Sequence, residues 1–160
     1  MTFTIRQLAR NVNSFKVSGN NVVWDSFDGS DLEIYLYNGS STIQLTDNSS
    51  DDLVPTISGN NVVWSRRGGY DFELYLYNGS STIRLTDNTE NDERPHISGN
   101  NVVWDSFDGN DFEIYLYNGN STIQLTDNNI NDYASGISGN NVIWRGREGD
   151  YSEIYLGLAE

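Results

Sequence analysis

There is no cysteine in the 160 residues. That excludes a disulfide framework, a thiolate metal centre and a cysteine nucleophile, and it leaves the redox compartment open. Histidine occurs once, at His96, and nothing in the sequence supports a Ser-His-Asp relay around it. Basic residues are scarce: 9 Lys and Arg stand against 23 Asp and Glu, for a net charge of -14. Nucleic acid and anionic membrane would both be repelled by such a surface, so neither is expected as a partner. No stretch approaches a membrane span, and the opening "MTFTIRQLARNVNSF" has no apolar core of signal-peptide length. No compartment follows for a natural parent.

What the chain has in abundance is itself. "NNVVWDSFDGSDLEIYLYNGSSTIQLTDN" starts at Asn20, returns almost unchanged at Asn60 and Asn100, and appears shortened at Asn140. Trp24, Trp64, Trp104 and Trp144 are 40 residues apart each time. A period of that size marks a solenoid, a propeller or an array. The runs "NVVW", "EIYLY" and "TIQLT" carry β-branched and aromatic residues with an alternation of two, which is a strand pattern. No stretch has helical spacing. Gly-Asn and Asn-Gly pairs separate the runs, as tight hairpins require.

Each repeat therefore reads as four strands, called a to d: a near Pro55 to Ser58, b from Asn61 to Ser65, c from Glu73 to Tyr77 and d from Thr82 to Thr86. Four antiparallel strands in about 40 residues make a blade, so the expected fold is an all-β propeller of four-stranded blades, four blades' worth per chain. The repeat units are 17–56, 57–96, 97–136 and 137–160 joined by 1–16. The last union follows from the ends. "FTIRQLARN" resembles an orphan d strand, and the chain closes on an a-b-c set without its d. Pairing residues Thr2 to Ala9 with Glu153 to Leu158 would complete a blade and remove two free edges, within one chain or between two.

At "LTDN…P.ISGNNVVW…GG..ELYLYNG" the chain resembles the TolB-like propeller repeat, a relative of the WD-repeat blade. The likeness is greatest to the highly self-similar propeller repeats of cyanobacteria, and near-identity of the repeats is that of a recent amplification or an engineered protein. The usual Ser-Pro-Asp-Gly turn reads "SGNN" here. The resemblance implies the fold and says almost nothing of activity, since propellers host many functions.

Comparison of the repeats separates constant from variable parts. "SGNNV" is unchanged in all four repeats, whereas the b–c loops ("DSFDGSD", "SRRGGYD", "DSFDGND", "RGREGDY") and the d–a linkers differ. Both variable sets leave the same end of the strands, which makes that face the expected binding surface. The b–c loops alternate in charge, with Asp25, Asp28, Asp105 and Asp108 against Arg66, Arg67, Arg145 and Arg147. Pairing across the rim between neighbouring blades is expected, at about 1 kcal/mol or less per exposed pair.

The candidate ligand contacts are loop aromatics: Phe27, Tyr70, Phe107, Tyr133 and Tyr151. Asp52, Asp92 and Asp132 are weak candidates for a ring of carboxylates around a hard cation. The preferred reading is that each caps its own loop, since the one-three-five acid spacing of a calcium loop is absent. No metal, no cofactor and no catalytic residue is expected. The reading is a non-enzymatic scaffold or binding module. A carbohydrate-binding, lectin-like propeller and a glycoside-hydrolase-like propeller are the alternatives. The expected partner is a second copy, two chains closing an eight-bladed ring, with a four-bladed monomer as the alternative.

Overall fold

The computed structural model describes residue 2 and residues 4–158, and every described element is a strand. Fifteen strands form four antiparallel sheets in succession. The first blade is β1 (Val12–Ser18), β2 (Asn21–Phe27), β3 (Leu32–Tyr37) and β4 (Thr42–Gln44). The second is β5 (Asp52–Ser58), β6 (Asn61–Arg67), β7 (Phe72–Tyr77) and β8 (Thr82–Arg84). The third is β9 (Asp92–Ser98), β10 (Asn101–Phe107), β11 (Phe112–Tyr117) and β12 (Thr122–Gln124). The fourth has three strands, β13 (Asn131–Ser138), β14 (Asn141–Glu148) and β15 (Tyr151–Gly157).

The a strands are longer than the sequence suggests. Asp52 and Asp92 begin β5 and β9 rather than sitting in a linker. A register shift between Leu53 and Thr56 hides this extension, because it breaks the alternation. The d strands are shorter, three residues each. Leu45 N still donates to the Ile34 carbonyl at 2.7 Å, and Thr46 Oγ1 then accepts from Ile34 N at 2.8 Å. A hydroxyl thus finishes the ladder that the backbone leaves.

Strands b and c are apolar on both faces because each blade is covered from both sides. Val23, Ile34 and Leu36 of the first blade pack on Val62 and Trp64 of the second, and Leu45 seals the seam. The same set, 40 residues on, joins the second blade to the third, and a related set joins the third to the fourth. Within each blade the tryptophan stacks on the tyrosine beside it, Trp24 on Tyr35 at 5.9 Å and Trp104 on Tyr115 at 5.9 Å.

The constancy of "SGNN" has a cause beyond the turn itself. Gly59, Gly99 and Gly139 have φ of 60°, which only glycine adopts freely. The turn also bonds forward to the next blade. Ser18 Oγ accepts from Gly59 N at 3.0 Å, and Asn21 Nδ2 donates to the Gly59 carbonyl at 2.8 Å and to Asn60 Oδ1 at 2.9 Å. The pattern repeats from Ser58 and Asn61, and from Ser98 and Asn101.

Among the described residues the ring is not closed. Residues 4–9 form no strand, and β15 has no partner on its outer edge among the described residues. Phe3 of the anticipated closure lies outside the described residues. Leu8 and Ala9 instead line an apolar hollow with Val12, Phe15, Val22 and Trp24, on the leading face of the first blade. A d strand elsewhere in the chain is attached both to its own sheet and to the face of the following blade; among the described residues the first attachment is missing here, and Leu8 and Ala9 lie beside the second.

Candidate functional site

The loops collect on one face, as the four-strand meander demands. The linker leaving the first blade ties to both hairpins beside it: Asp51 Oδ1 accepts from Leu32 N at 3.1 Å, and its carbonyl accepts from Arg67 N at 2.9 Å. Phe72 N and Phe112 N donate in the same way to Asn91 and Asn131. Each acidic b–c turn is internally braced, with Asp28 Oδ1 accepting from Ser30 N at 2.8 Å and Asp108 Oδ1 from Asn110 N at 2.8 Å.

Between these loops lie clefts at the blade seams. At the seam of the second and third blades a cleft of about 440 Å³ is lined by Asn88, Asp92, Trp104, Ser106, Phe107, Asp108 and Tyr115 among others. At the next seam the equivalent residues Asn128, Asp132, Trp144, Glu148 and Tyr155 line one of about 320 Å³. At the first seam a guanidinium fills the space. Arg66 Nε pairs with Asp52 Oδ1 at 2.8 Å, and the group lies 4.1 Å from the centre of the Tyr75 ring. Forty residues on, the Arg66 position is Ser106, and 40 further it is Gly146. A Cβ at Gly146 would stand 2.6 Å from the Tyr155 ring and 2.9 Å from Asp132, so only glycine allows that approach. At the first two seams one variable position, Arg66 or Ser106, therefore decides whether the space is filled, and at the third Gly146 lets Tyr155 and Asp132 close in.

Asp52, Asp92 and Asp132 are buried at the inner wall of these seams. Asp52 accepts from Trp64 Nε1 at 2.6 Å and from Asn48 Nδ2 at 2.5 Å. Asp92 accepts from Trp104 Nε1 at 3.0 Å and Asn88 Nδ2 at 2.8 Å. They hold their linkers through Asn48 and Asn88 across four residues, and Asp52 is neutralised by Arg66. Burial raises Asp92 above the ordinary carboxylate value, against the pull of Ser106, Thr86, Asn88 and Trp104.

The loop aromatics do not converge on one site. Phe107 lines the larger cleft and meets Phe112 edge-on at 5.6 Å; Phe112 in turn meets Tyr133 at 5.4 Å. Tyr133 is engaged by two guanidinium groups, Arg94 at 5.0 Å and Arg145 at 5.2 Å from its ring centre. Phe27, Tyr70 and Tyr151 are exposed on three different blades, the tryptophans Trp64 and Trp104 are buried between blades, and Trp24 is buried on the leading face of the first blade.

The expected ion pairs across the rim are absent among the described residues. Asp25 and Asp105 are fully buried instead. Asp25 accepts from Val54 N of the next blade at 3.0 Å, and Asp105 from Ala134 N at 3.1 Å. The acids staple neighbouring blades through backbone amides. The pairs that do form lie within blades: Arg66 with Asp52, Arg94 with Asp105, and Arg84 with Glu73. Alternation of charge between loops could not reveal this, because it ignores which residues of a loop still belong to the strand.

On the axis side, Lys16, Thr56, His96 and Gly136 occupy one register position of the four a strands and line a hollow of about 230 Å³. Burial pushes His96 below its ordinary value, and Lys16 adds to the effect. None of the residues described around that hollow is a carboxylate.

Two further groups on the loop face carry oxygens only. Asp28, Asp31 and Glu33 in the first blade, and Asp108, Asp111 and Glu113 in the third, each bring one ligand oxygen per residue within 4.8 Å of the others. A position-by-position comparison of the repeats would have found them, since only these two blades keep all three acids.

No protein-family model matches the chain, and no curated protein matches it. Solved structures do. The β-propeller domain of the Trilobed protease from Pyrococcus furiosus superposes with a TM-score of 0.72 at 11% identity, over 89% of this chain and 48% of that one. A putative TolB from Agrobacterium tumefaciens gives 0.60 at 17%, over 86% and 57%. The computationally designed Ika8 protein gives 0.58 at 18%, over 90% and 45%. The chain spans about half the length of these solved chains. With identities this low, the likeness is one of fold: the chain is an all-β arc of propeller blades. Within that class its blade architecture is shared with TolB-like propellers.

Proposed function

We propose that the chain is a non-enzymatic propeller scaffold, two copies of which close an eight-bladed ring that binds ligands through its loop face. One observation carries the reading. Ile34, Leu74 and Ile114 are each 0% exposed under the following blade, while Ile154, at the same position of the fourth blade, is 85% exposed. Leu36 and Leu76 are buried, and Leu156 is exposed. The first blade offers the complement: Phe15 and Val17 are uncovered on its leading face, and Leu8 lines a hollow with Val22 and Trp24 where, one blade on, Leu45 packs against the cluster that holds Val62 and Trp64. Ser138 and Asn141 carry the groups that reach the next turn in every other blade, and Gly19 and Asn20 carry the receiving ones. The unfilled faces are thus two halves of an interface that the chain already makes three times.

Ligand recognition falls to the seam clefts, whose filling at the first two seams is set by Arg66 and Ser106 while the blades stay constant. The lectin-like alternative has weaker support, because the loop aromatics Phe27, Tyr70 and Tyr151 are dispersed over three blades. A recent amplification accounts for the near-identity of the repeats. Light scattering with absolute mass tests the assembly. Two chains of 18.0 kDa in one particle are expected. A single-chain mass at micromolar concentration sinks it.

A further inference from the structure

We propose that the b–c hairpins of the first and third blades each bind one Ca²⁺, through Asp28, Asp31 and Glu33 and through Asp108, Asp111 and Glu113. The oxygens of each set lie within 4.8 Å of one another. Opposite ligands of a Ca²⁺ ion, at about 2.4 Å from it, stand about 4.8 Å apart, so these separations are of the size that one ligand shell spans. The donors are hard carboxylate oxygens with no imidazole or thiolate, which suits Ca²⁺ rather than zinc. Asp28 is exposed, so water can complete the shell, and a Ca²⁺ shell tolerates irregular geometry better than a Mg²⁺ one.

Burial supplies the second observation. Asp31 is 7% exposed and Glu33 is 0% exposed, yet both Asp31 oxygens and Glu33 Oε2 are buried without a hydrogen-bond partner. Asp111 and Glu113 repeat this atom for atom. Buried carboxylate oxygens without partners are costly and need neutralisation. A proton would satisfy one oxygen of the three, whereas a divalent ion can be shared by oxygens of both residues.

The second blade is the internal control. It keeps Asp71 and Glu73 but has Gly68 where the others have Asp28 and Asp108, and Arg84 where they have Gln44 and Gln124. There Arg84 Nη2 reaches Glu73 Oε1 at 2.9 Å and Thr86 Oγ1 donates to Glu73 Oε2 at 2.5 Å, while the amide hydrogen bond from Asn88 N to Oε1 is shared with the other two blades, where Asn48 N and Asn128 N donate to Glu33 and Glu113. One blade carries its cation covalently as a guanidinium. The two blades that lack it carry an extra acid instead.

Equilibrium dialysis of the full chain against CaCl₂, at free Ca²⁺ of about 1 mM to cover weak loop sites, should find two ions per chain. Asp31→Asn should leave one, and Asp31→Asn with Asp111→Asn should leave none. Gln44→Arg with Gln124→Arg copies the second blade, and should abolish uptake and the calcium-induced rise in thermal midpoint while near-UV circular dichroism stays unchanged. Asp71→Asn should keep both ions. No uptake by the unaltered chain overturns the proposal, as does retention of both ions by the paired Asn variant, or equal loss in Asp71→Asn. Full displacement of Ca²⁺ by equimolar Mg²⁺ overturns the choice of ion.

Discussion

At Val54 the backbone has φ of 53°, a left-handed conformation for a β-branched residue. Its amide must point at Asp25 of the preceding blade, and that contact holds the turn in place. The left-handed region costs about 1–2 kcal/mol for a side chain with a Cβ, and glycine loses up to about 1 kcal/mol of that in unfolded-state entropy. Val54 is half exposed, so little packing is lost. Val54→Gly should therefore leave the fold as stable or up to about 1 kcal/mol more stable, read from urea midpoints; a loss of 2 kcal/mol or more would mean the side chain packs where it looks free. Asp105 is the other residue with a decided consequence. Burial raises its pKa to about 6 from 3.8, against Arg94 and the Ala134 amide and with the help of Glu93. Between those values the folded chain holds a proton that the unfolded chain has released, so the contribution is present at low pH and lost as pH rises through about 6. The stability of the native sequence relative to Asp105→Asn should fall between about pH 4 and pH 7. A flat difference would show that Arg94 keeps Asp105 ionised throughout.

Strands b and c and their glycine turns were legible in the sequence because period two, β-branching and Asn-Gly each report a local constraint. Strand a was only half legible, since the irregularity at Val54 breaks the alternation and makes Asp52 look like linker. The seam clefts were not legible at all. They depend on two blades at once, and a position such as Arg66, Ser106 or Gly146 looks like loop variation until the neighbour is in place. The element supports a direct exchange. Arg66→Ser should open a cleft at the first seam and cost about 2 kcal/mol, less than the usual loss for a broken buried pair because Asn48 and Trp64 still bond Asp52. Ser106→Arg should shut the larger cleft and gain about 1 kcal/mol from pairing with Asp92 and stacking on Tyr115. Thermal unfolding of the two variants checks both signs; opposite signs to these would mean that Arg66 is merely tolerated at the seam.

For the whole molecule the question is whether the uncovered faces meet. Inside the chain a blade face is buried by contact with the next blade, and each apolar side chain taken out of water is worth about 1.5–3 kcal/mol. Part of that gain is offset in a two-chain ring by lost rigid-body freedom, which is why every face residue matters to association. Ile154 and Leu156 sit on β15, where they touch no following blade. Charging them therefore leaves the isolated chain nearly unchanged, since exposed substitutions of this kind fall within about 0.5 kcal/mol. In a ring the same change would bury two ammonium groups against Phe15, Val17 and Trp24. Ile154→Lys with Leu156→Lys should convert a two-chain particle into single chains at micromolar concentration, with the far-ultraviolet spectrum unchanged. Tyr70→Lys, at a fully exposed loop position, should leave the two-chain mass intact. If the double lysine variant keeps that mass, the chains meet through some other surface and the blade-completing interface is wrong.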